Sequence, residues 1–137
     1  MAEDTVVKEM LTEQMIEAGA QLTESLDGQN WPLVGALWLF DPEINQWRLL
    51  LASPTVKTEG AFEAYHHVNE ALRESTSPLR LDSVSVVSPD HPIFRTLASA
   101  LRPGWENRTR RVFRTAINGH YIDDAYVYRL PPLAPAA

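Results

Sequence analysis

Four side chains that could hold an anion or move a proton follow the ends of two predicted strands. Ser53 and Ser88 each begin a Ser-Pro pair where an apolar strand ends, Lys57 follows the first pair, and His91 follows the second. A helix that connects two strands of one sheet makes them parallel, so both serines are expected at the same sheet edge. Ligands in such sheets bind at the carboxyl ends of the strands. The sequence therefore predicts a small-ligand or anion site formed by Ser53, Lys57, Ser88 and His91.

The same residues allow a second interpretation, in which a serine is a nucleophile and His91 is its base. A nucleophilic serine of this kind usually stands in a Gly-x-Ser-x-Gly turn, and neither Ser53 nor Ser88 does. A serine in front of a helix is an ordinary capping residue. Capping is therefore favoured over catalysis, and no catalytic residue is predicted.

Metal and cofactor motifs are incomplete. Glu63 and His66 have the spacing of half a di-iron carboxylate site, but the chain has no second copy. His120, Asp123 and Asp124 could supply metal ligands near a hairpin, although neighbouring aspartates are expected on opposite faces of a strand. The chain has no cysteine, and its six glycines form no phosphate-binding loop. We therefore expect neither a metal nor a cofactor.

The charged side chains are unevenly distributed. Residues 95–129 carry seven arginines, whereas residues 1–30 carry seven acidic side chains and Lys8, and the formal net charge is −6. One basic and aromatic group suits either phosphate contacts with base stacking or ion pairs with a protein. This group consists of Arg102, Trp105, Arg108, Arg110, Arg111 and Arg114. Because a negative chain opposes non-specific binding to nucleic acid, a protein partner is favoured and nucleic acid is the alternative.

Asn118-Gly119 is the strongest short-range signal for a two-residue hairpin turn in the chain. The register set by that turn places Arg114 opposite Asp123, so these two side chains are expected to form an ion pair. It also predicts which arginines share a face of the strand. Arg108, Arg110 and Arg114 are expected on one face, and Arg111 on the other.

Hydrophobic spacing predicts one α+β domain over residues 1–130, with a mixed five-stranded sheet and three helices in the order α-β-β-α-β-α-β-β. The predicted helices cover residues 5–26, 59–74 and 93–101. The predicted strands cover residues 33–40, 46–52, 81–87, 108–117 and 120–130.

Gly19 predicts a weak point in the first helix. Asp90 is the predicted N-cap of the third helix, with Pro92 in its first turn. Residues 131–137 are predicted to be a disordered tail rich in proline and alanine.

Four segments resemble parts of small, uncharacterised bacterial hypothetical proteins. They are Ala36-Leu37-Trp38-Leu39, Leu51-Ala52-Ser53-Pro54, Ile117-Asn118-Gly119 and Asp124-Ala125-Tyr126-Val127-Tyr128-Arg129. The resemblance covers about residues 10–130, implies a bacterial cytoplasmic protein, and brings no activity with it.

The expected function is that of a non-catalytic protein-binding or regulatory module, acting with a protein partner or as a homodimer. Aromatic side chains and arginines dominate binding hot spots, and Trp31, Trp47 and Trp105 are the tryptophans expected at the surface, whereas Trp38 is expected in the core. No apolar run approaches the roughly 20 residues of a membrane span, so no membrane partner is expected.

Overall fold

Five strands form one mixed sheet in the computed structural model, which describes residues 8–74, 79–100, 110–117 and 119–131. The strands are β1 (Gly35–Asp41), β2 (Gln46–Ala52), β3 (Val84–Val87), β4 (Arg110–Ile117) and β5 (His120–Arg129). The helices are α1 (Glu13–Gly28), α2 (Thr55–Thr58), α3 (Ala61–Glu74) and α4 (Pro92–Ala100). A 3-10 turn, Leu81–Ser83, precedes β3. The predicted α+β class and five-stranded mixed sheet are confirmed, with one helix more than predicted.

The strand order in the sheet is β3-β2-β1-β5-β4. β2 and β3 are parallel, as predicted from the helical connection between them, and the other neighbouring strands are antiparallel. The hairpin register is also confirmed, because Arg110 pairs with Val127 and Ile117 pairs with His120. β4 is therefore the outermost strand on one side of the described sheet.

Side chains that alternate along the strands divide the apolar core between the two faces of the sheet. On one face, α1 and α3 cover Trp38 of β1 and Leu49 of β2. On the other face, α4 covers Leu37 and Leu50 through Phe94. Helices α1 and α3 thus cover one face together, whereas α4 alone is the described helix on the opposite face.

Helix α1 begins later than predicted. Residues 8–12 are not helical, and residues 5–7 lie outside the described part of the chain. Thr12 is the N-cap, and its hydroxyl oxygen accepts a hydrogen bond from the Met15 N–H at 3.1 Å. The indole N–H of Trp47 donates to the carbonyl oxygen of Glu9 at 2.8 Å. This long-range contact holds the preceding segment against the sheet in a non-helical conformation.

Gly19 does not break α1, contrary to the weak point expected there. The hydroxyl of Tyr128 lies against the helix, donating to the carbonyl oxygen of Ile16 and accepting from the indole N–H of Trp38 at 3.1 Å. A Cβ atom at position 19 would collide with both the Tyr128 hydroxyl and the Trp38 ring nitrogen. Glycine is therefore required here for the close approach of the sheet to the helix.

Two further elements differ from their predicted bounds. The helix predicted over residues 59–74 begins at Ala61, and the residues before it form an additional short helix, α2. Gly60, with a φ of 93°, separates α2 from α3. The predicted strand over residues 81–87 is shorter, because Leu81–Ser83 forms the 3-10 turn. Gly60 is a residue that adopts such a left-handed conformation at little cost, which explains the break.

The tryptophans expected at the surface are largely core residues. Trp31 and Trp47 are both buried, so that expectation is wrong for them, whereas Trp38 is buried as predicted. Trp47 packs against Phe40 with 5.4 Å between ring centroids. Trp105, with Arg102, Arg108 and the predicted tail from residue 132 onward, lies outside the described residues. In the part of the chain that is described, no helix is long and apolar enough to cross a membrane.

Candidate functional site

The four residues predicted to form an anion site do come to one edge of the sheet. The Ser53 N–H donates to the carbonyl oxygen of Val87 at 3.0 Å, which joins the ends of β2 and β3. The His91 N–H donates to the carbonyl oxygen of Ser88, also at 3.0 Å. Lys57, in α2, reaches the same edge through an ion pair with Asp90. The parallel strand pair therefore positions these residues as the sequence predicts.

The hydroxyl of Ser53 has two intramolecular partners. Ser53 is fully buried, and its Oγ accepts a hydrogen bond from the Thr55 N–H at 3.1 Å. The same hydroxyl donates to Thr55 Oγ1 at 2.9 Å. These bonds stabilise the Ser-Pro turn before α2. The N-cap of α2 is Pro54, and no side chain caps this helix, so the capping role expected for Ser53 is wrong.

Lys57 and Asp90 form an exposed ion pair above this turn. Lys57 Nζ lies 2.5 Å from Asp90 Oδ2. The hydrogen bond from Lys57 lowers the pKa of Asp90. The Ser88 hydroxyl, beside the same carboxylate, adds to this effect, although its geometry falls short of a hydrogen bond. The cation expected to hold a ligand is thus paired within the chain.

His91, and not Asp90, caps α4. His91 Nδ1 accepts a hydrogen bond from the Ile93 N–H at 3.2 Å, and the first helical bond runs from the Arg95 N–H to the His91 carbonyl oxygen. The predicted N-cap at Asp90 is therefore wrong by one residue, whereas Pro92 does occupy the first turn. Burial lowers the pKa of His91, against the opposing effect of the Asp90 charge.

A cleft of about 410 Å³ lies beside α4, on the sheet face opposite α1 and α3. Its apolar lining includes Leu39, Leu50, Val87 and Ile93. The polar side chains around it are those of Asp41, Arg48, Ser85, His91, Tyr121 and Asp123. A concave apolar surface with a few polar groups is the usual form of a small-molecule site. Sequence reasoning missed this cleft because its lining comes from four strands and a helix that are far apart in the chain.

Arg48 is the cationic side chain of this cleft. Its Nε and Nη2 donate to Ser85 Oγ at 3.1 Å and 2.8 Å, and its Nη1 lies 3.4 Å from the carbonyl oxygen of Asp82. Within the described residues, no carboxylate forms an ion pair with Arg48. The one signal in the sequence was an arginine at an alternating position in a strand that is otherwise largely apolar.

A second polar cluster joins the β4–β5 hairpin to the segment before α1. Arg111 Nε lies 2.6 Å from Asp124 Oδ1, and Lys8 Nζ lies 3.0 Å from Asp124 Oδ2 and 2.9 Å from Asp123 Oδ2. Burial acts to raise the pKa of Asp124, but hydrogen bonds from Arg111 and then Lys8 outweigh it, and the net pKa is lowered. Lys8 was not recognised from the sequence, because it lies more than 100 positions from its partners.

Lys8 contacts both neighbouring aspartates, although Asp123 also lines the cleft on the opposite face of the sheet. The β4–β5 pairing is interrupted between Phe113 and Thr115. Arg114, the residue at the interruption, has a φ of 41°, in the left-handed region that non-glycine residues rarely adopt. Among the described residues, no three or more histidine, aspartate or glutamate side chains are grouped to hold a metal ion.

The predicted ion pair between Arg114 and Asp123 is not formed. Asp123 is bound by Lys8, while Arg114 is exposed and has no ion pair within the described residues. Arg111 faces Trp47 and Phe113, with its guanidinium carbon 4.7 Å from the Phe113 ring centroid. The side chain of Arg110, with Arg102, Trp105 and Arg108, lies outside the described part, so the predicted arginine group is placed only at Arg111 and Arg114.

Comparisons of this chain with protein-family models, with curated proteins and with solved structures find no match. They add no relative and no activity to the geometry described above. The bacterial origin, the cytoplasmic location and the homodimer consequently stay predictions from the sequence.

Proposed function

We propose that this chain is a non-catalytic binding module that recognises a partner protein through β4, the outermost strand of the sheet in the described residues. The observation that carries the proposal is the stack of Arg111 over Phe113, with 4.7 Å from the guanidinium carbon to the ring centroid. Phe113 is a large apolar side chain that is 56% exposed. Aromatic and arginine side chains are the residues that most often dominate the binding energy of a protein interface.

The arginine of this stack is held in place before any partner binds. Arg111 donates two hydrogen bonds to Asp124, and Lys8 binds the same carboxylate from another direction. Binding orders flexible side chains at a cost of about 0.5–1.5 kcal/mol each. Because Arg111 is already ordered, that cost is reduced, and the fixed stack favours a specific contact.

The backbone of β4 supports the same function. In the described part of the sheet, β4 pairs with β5 on one side and with no strand on its other side. An outer strand has unpaired N–H and C=O groups that can add an extended segment of another chain. The exposed cation of Arg114 beside this edge favours a partner with acidic side chains.

Nucleic acid is the alternative partner, and the ion pairs count against it. The charge of Arg111 is offset by Asp124, so this side chain would release few counterions on meeting a phosphate. A second copy of the chain is also disfavoured at this edge. In an antiparallel pairing centred between Val112 and Phe113, Arg114 of each strand would face an Arg111 that is already paired with Asp124, so its charge would gain no acidic partner there.

A photo-cross-linking amino acid placed at position 113 in the full chain tests the proposal in the cells that make this protein. We expect a cross-linked partner protein, and we expect Arg114→Glu in the same chain to remove it. Position 62 is the matched control, because Phe62 is 82% exposed and lies on α3, away from β4. Equal cross-linking from positions 62 and 113 would contradict the proposal.

Two other outcomes would identify the partner as a second copy of the chain or as nucleic acid. A product of twice 15.4 kDa, together with a dimeric mass in light scattering, would identify a second copy as the partner. Binding of a fluorescein-labelled 20-nucleotide DNA strand that falls steeply with salt, and that Arg114→Glu weakens, would favour the nucleic-acid function.

A further inference from the structure

We infer that the cleft beside α4 binds a small organic carboxylate with an apolar body, and that Arg48 holds the carboxylate group. This site lies on a different surface from the β4 edge, so the inference stands independently of the proposed function. Its starting point is the shape of the cleft, which encloses about 410 Å³. Leu39, Leu50 and Val87 line it from three neighbouring strands, and Ile93 lines it from α4.

The apolar lining is only partly covered by the protein itself. Leu39, Val87 and Ile93 are half-buried side chains packed against a fully formed core. Covering them with the apolar part of a ligand would remove further apolar surface from water, at roughly 25 cal/mol per Å². The body of the ligand is therefore expected to be a hydrocarbon or aromatic group.

Arg48 gives the cleft its selectivity for an anion. Three N–H groups donate to Ser85 Oγ and toward the Asp82 carbonyl oxygen, and the others have no acceptor among the described residues. A guanidinium binds a carboxylate through two parallel hydrogen bonds, which is stronger than a bond between neutral groups. The bonds to Ser85 fix the side chain in advance, so little freedom is lost when a ligand arrives.

His91 supplies a second donor to the same cleft. Its Nδ1 accepts from the Ile93 N–H at 3.2 Å, so in the neutral ring the proton is on Nε2. The ring also lines the cleft. Arg48 and His91 thus present a cation and a neutral N–H donor to the same cleft.

The two carboxylates at the cleft decide how the ligand is oriented. Asp123 is neutralised by Lys8 at 2.9 Å. Asp41 accepts a hydrogen bond from the Glu43 N–H at 3.0 Å and has no cationic partner among the described residues. A ligand carboxylate is therefore attracted to Arg48 and repelled by Asp41. This gives the two residues opposite effects on affinity.

A titration of the ¹⁵N-labelled full chain with 1-naphthylacetate tests the inference, and 1-naphthylacetamide is the neutral probe of the same shape. We expect saturable shifts at the backbone amides of Leu39, Leu50, Val87 and Ile93, with a dissociation constant about tenfold lower for the carboxylate than for the amide. Arg48→Gln should remove this preference, whereas Asp41→Asn should strengthen binding of the carboxylate about two- to fivefold.

Each other result overturns the inference. Equal affinity for the two probes would show an apolar cleft without a carboxylate site, and shifts confined to other surfaces would exclude the cleft altogether. The absence of shifts at millimolar concentrations of either probe would also exclude the cleft as a binding site.

If Arg48→Gln loses the dispersed amide spectrum of a folded protein, Arg48→Lys replaces it. The lysine variant keeps the charge but loses the paired hydrogen bonds, so its preference for the carboxylate should be reduced but not abolished.

Discussion

Arg111 holds Asp124 across the β4–β5 ladder through two hydrogen bonds, from Nε to Oδ1 at 2.6 Å and from Nη2 to Oδ2 at 2.9 Å. The aspartate is only 2% exposed, and Lys8 binds the same carboxylate. A buried charge is tolerated only when it is paired, because its removal from water is costly. This cluster therefore fastens the segment before α1 to the outer hairpin.

Asp124→Asn should lower the free energy of unfolding by about 2 kcal/mol. Breaking a buried ion pair typically costs about 3–5 kcal/mol. The loss here should be smaller, since the side chains of Arg111 and Lys8 are 34% and 40% exposed and can regain water. Urea denaturation measures the change. Asp123→Asn is the matched control, because its more exposed carboxylate contacts only Lys8 in the described structure and should contribute less than about 1 kcal/mol.

The difference in unfolding free energy between wild type and Asp124→Asn should depend on pH in the acid range. The pKa of Asp124 is lower in the folded than in the unfolded chain, so the folded state binds fewer protons at low pH. Its stabilising effect is complete above the unfolded pKa of about 3.9 and is lost as the pH falls through the folded pKa. The unfolding free energies of wild type and Asp124→Asn should therefore converge below about pH 4. Parallel curves throughout the acid range would exclude this linkage.

Gly19→Ala should destabilise the protein, although alanine is the better helix former by about 1 kcal/mol. The new methyl group would collide with the Tyr128 hydroxyl and the Trp38 ring nitrogen, and overpacking usually costs about 1–3 kcal/mol. Gly28→Ala is the control, because a Cβ atom there meets nothing within 4 Å. Thermal unfolding of both variants shows whether the higher helix propensity of alanine or the steric collision at position 19 has the larger effect on stability. A Gly19→Ala protein at least as stable as wild type would contradict the close approach.

Tyr128→Phe tests the cause of that collision. Removing the hydroxyl makes room near Gly19, so the cost of Gly19→Ala should be smaller in the Tyr128→Phe background than in wild type. A double-mutant cycle measures this coupling, which is expected for residues in contact. If the effects of Gly19→Ala and Tyr128→Phe on the free energy of unfolding were strictly additive, the Tyr128 hydroxyl would not be the group that the new methyl group strikes.

The sheet could be predicted from the sequence because its signals are local. Asn118-Gly119 sets the hairpin register, and an apolar strand followed by Ser53-Pro54 sets the end of β2. Each of these features depends on a few neighbouring residues, because glycine permits the positive φ of the hairpin turn and proline restricts the backbone where the strand ends. The hairpin register and the pairing of β2 with its neighbours followed from such signals, whereas the pairing of β1 with β5, which completes the strand order, did not.

The candidate sites could not be predicted in the same way, because they depend on contacts between distant parts of the chain. Lys8 meets Asp123 and Asp124 only after the chain has folded, and no local pattern indicates the left-handed conformation of Arg114. The cleft at Arg48 likewise requires the order of the strands. The cap at His91 was missed for another reason, since aspartate is the more common N-cap and Asp90 is adjacent.

Ser53→Ala should lower the free energy of unfolding by about 1–2 kcal/mol, because it leaves the buried Thr55 N–H without its acceptor. Thr58→Ala is the control, since Thr58 is exposed and its hydroxyl makes only a long bond to the Pro54 carbonyl oxygen, at 3.3 Å. Binding to the partner of β4 should be unchanged in a folded Ser53→Ala protein. Loss of that binding without loss of stability would restore a direct role for Ser53.

His91 makes the stability of α4 sensitive to pH. Burial lowers the pKa of His91 in the folded protein, and protonation of Nδ1 would remove the acceptor of the Ile93 N–H. The folded state therefore binds fewer protons than the unfolded chain near its pKa of about 6.5, and stability rises with pH in this range. The effect is complete above about pH 6.5 and is lost as the pH falls through the lower folded pKa.

We expect wild type to lose up to about 1 kcal/mol of unfolding free energy between pH 7.5 and pH 5, the typical contribution of an N-cap. His91→Asn should not show this loss, because asparagine is a good N-cap that does not titrate in this range.

His120→Gln is the control, since His120 is exposed at the start of β5, and it should keep the decline of wild type. Asp90→Ala should show a decline at least as large as that of wild type, because Asp90 does not cap the helix and its charge opposes the lowering of the His91 pKa. Urea titrations at intervals of half a pH unit measure all four proteins, and a decline that persists in His91→Asn would assign the effect to another group.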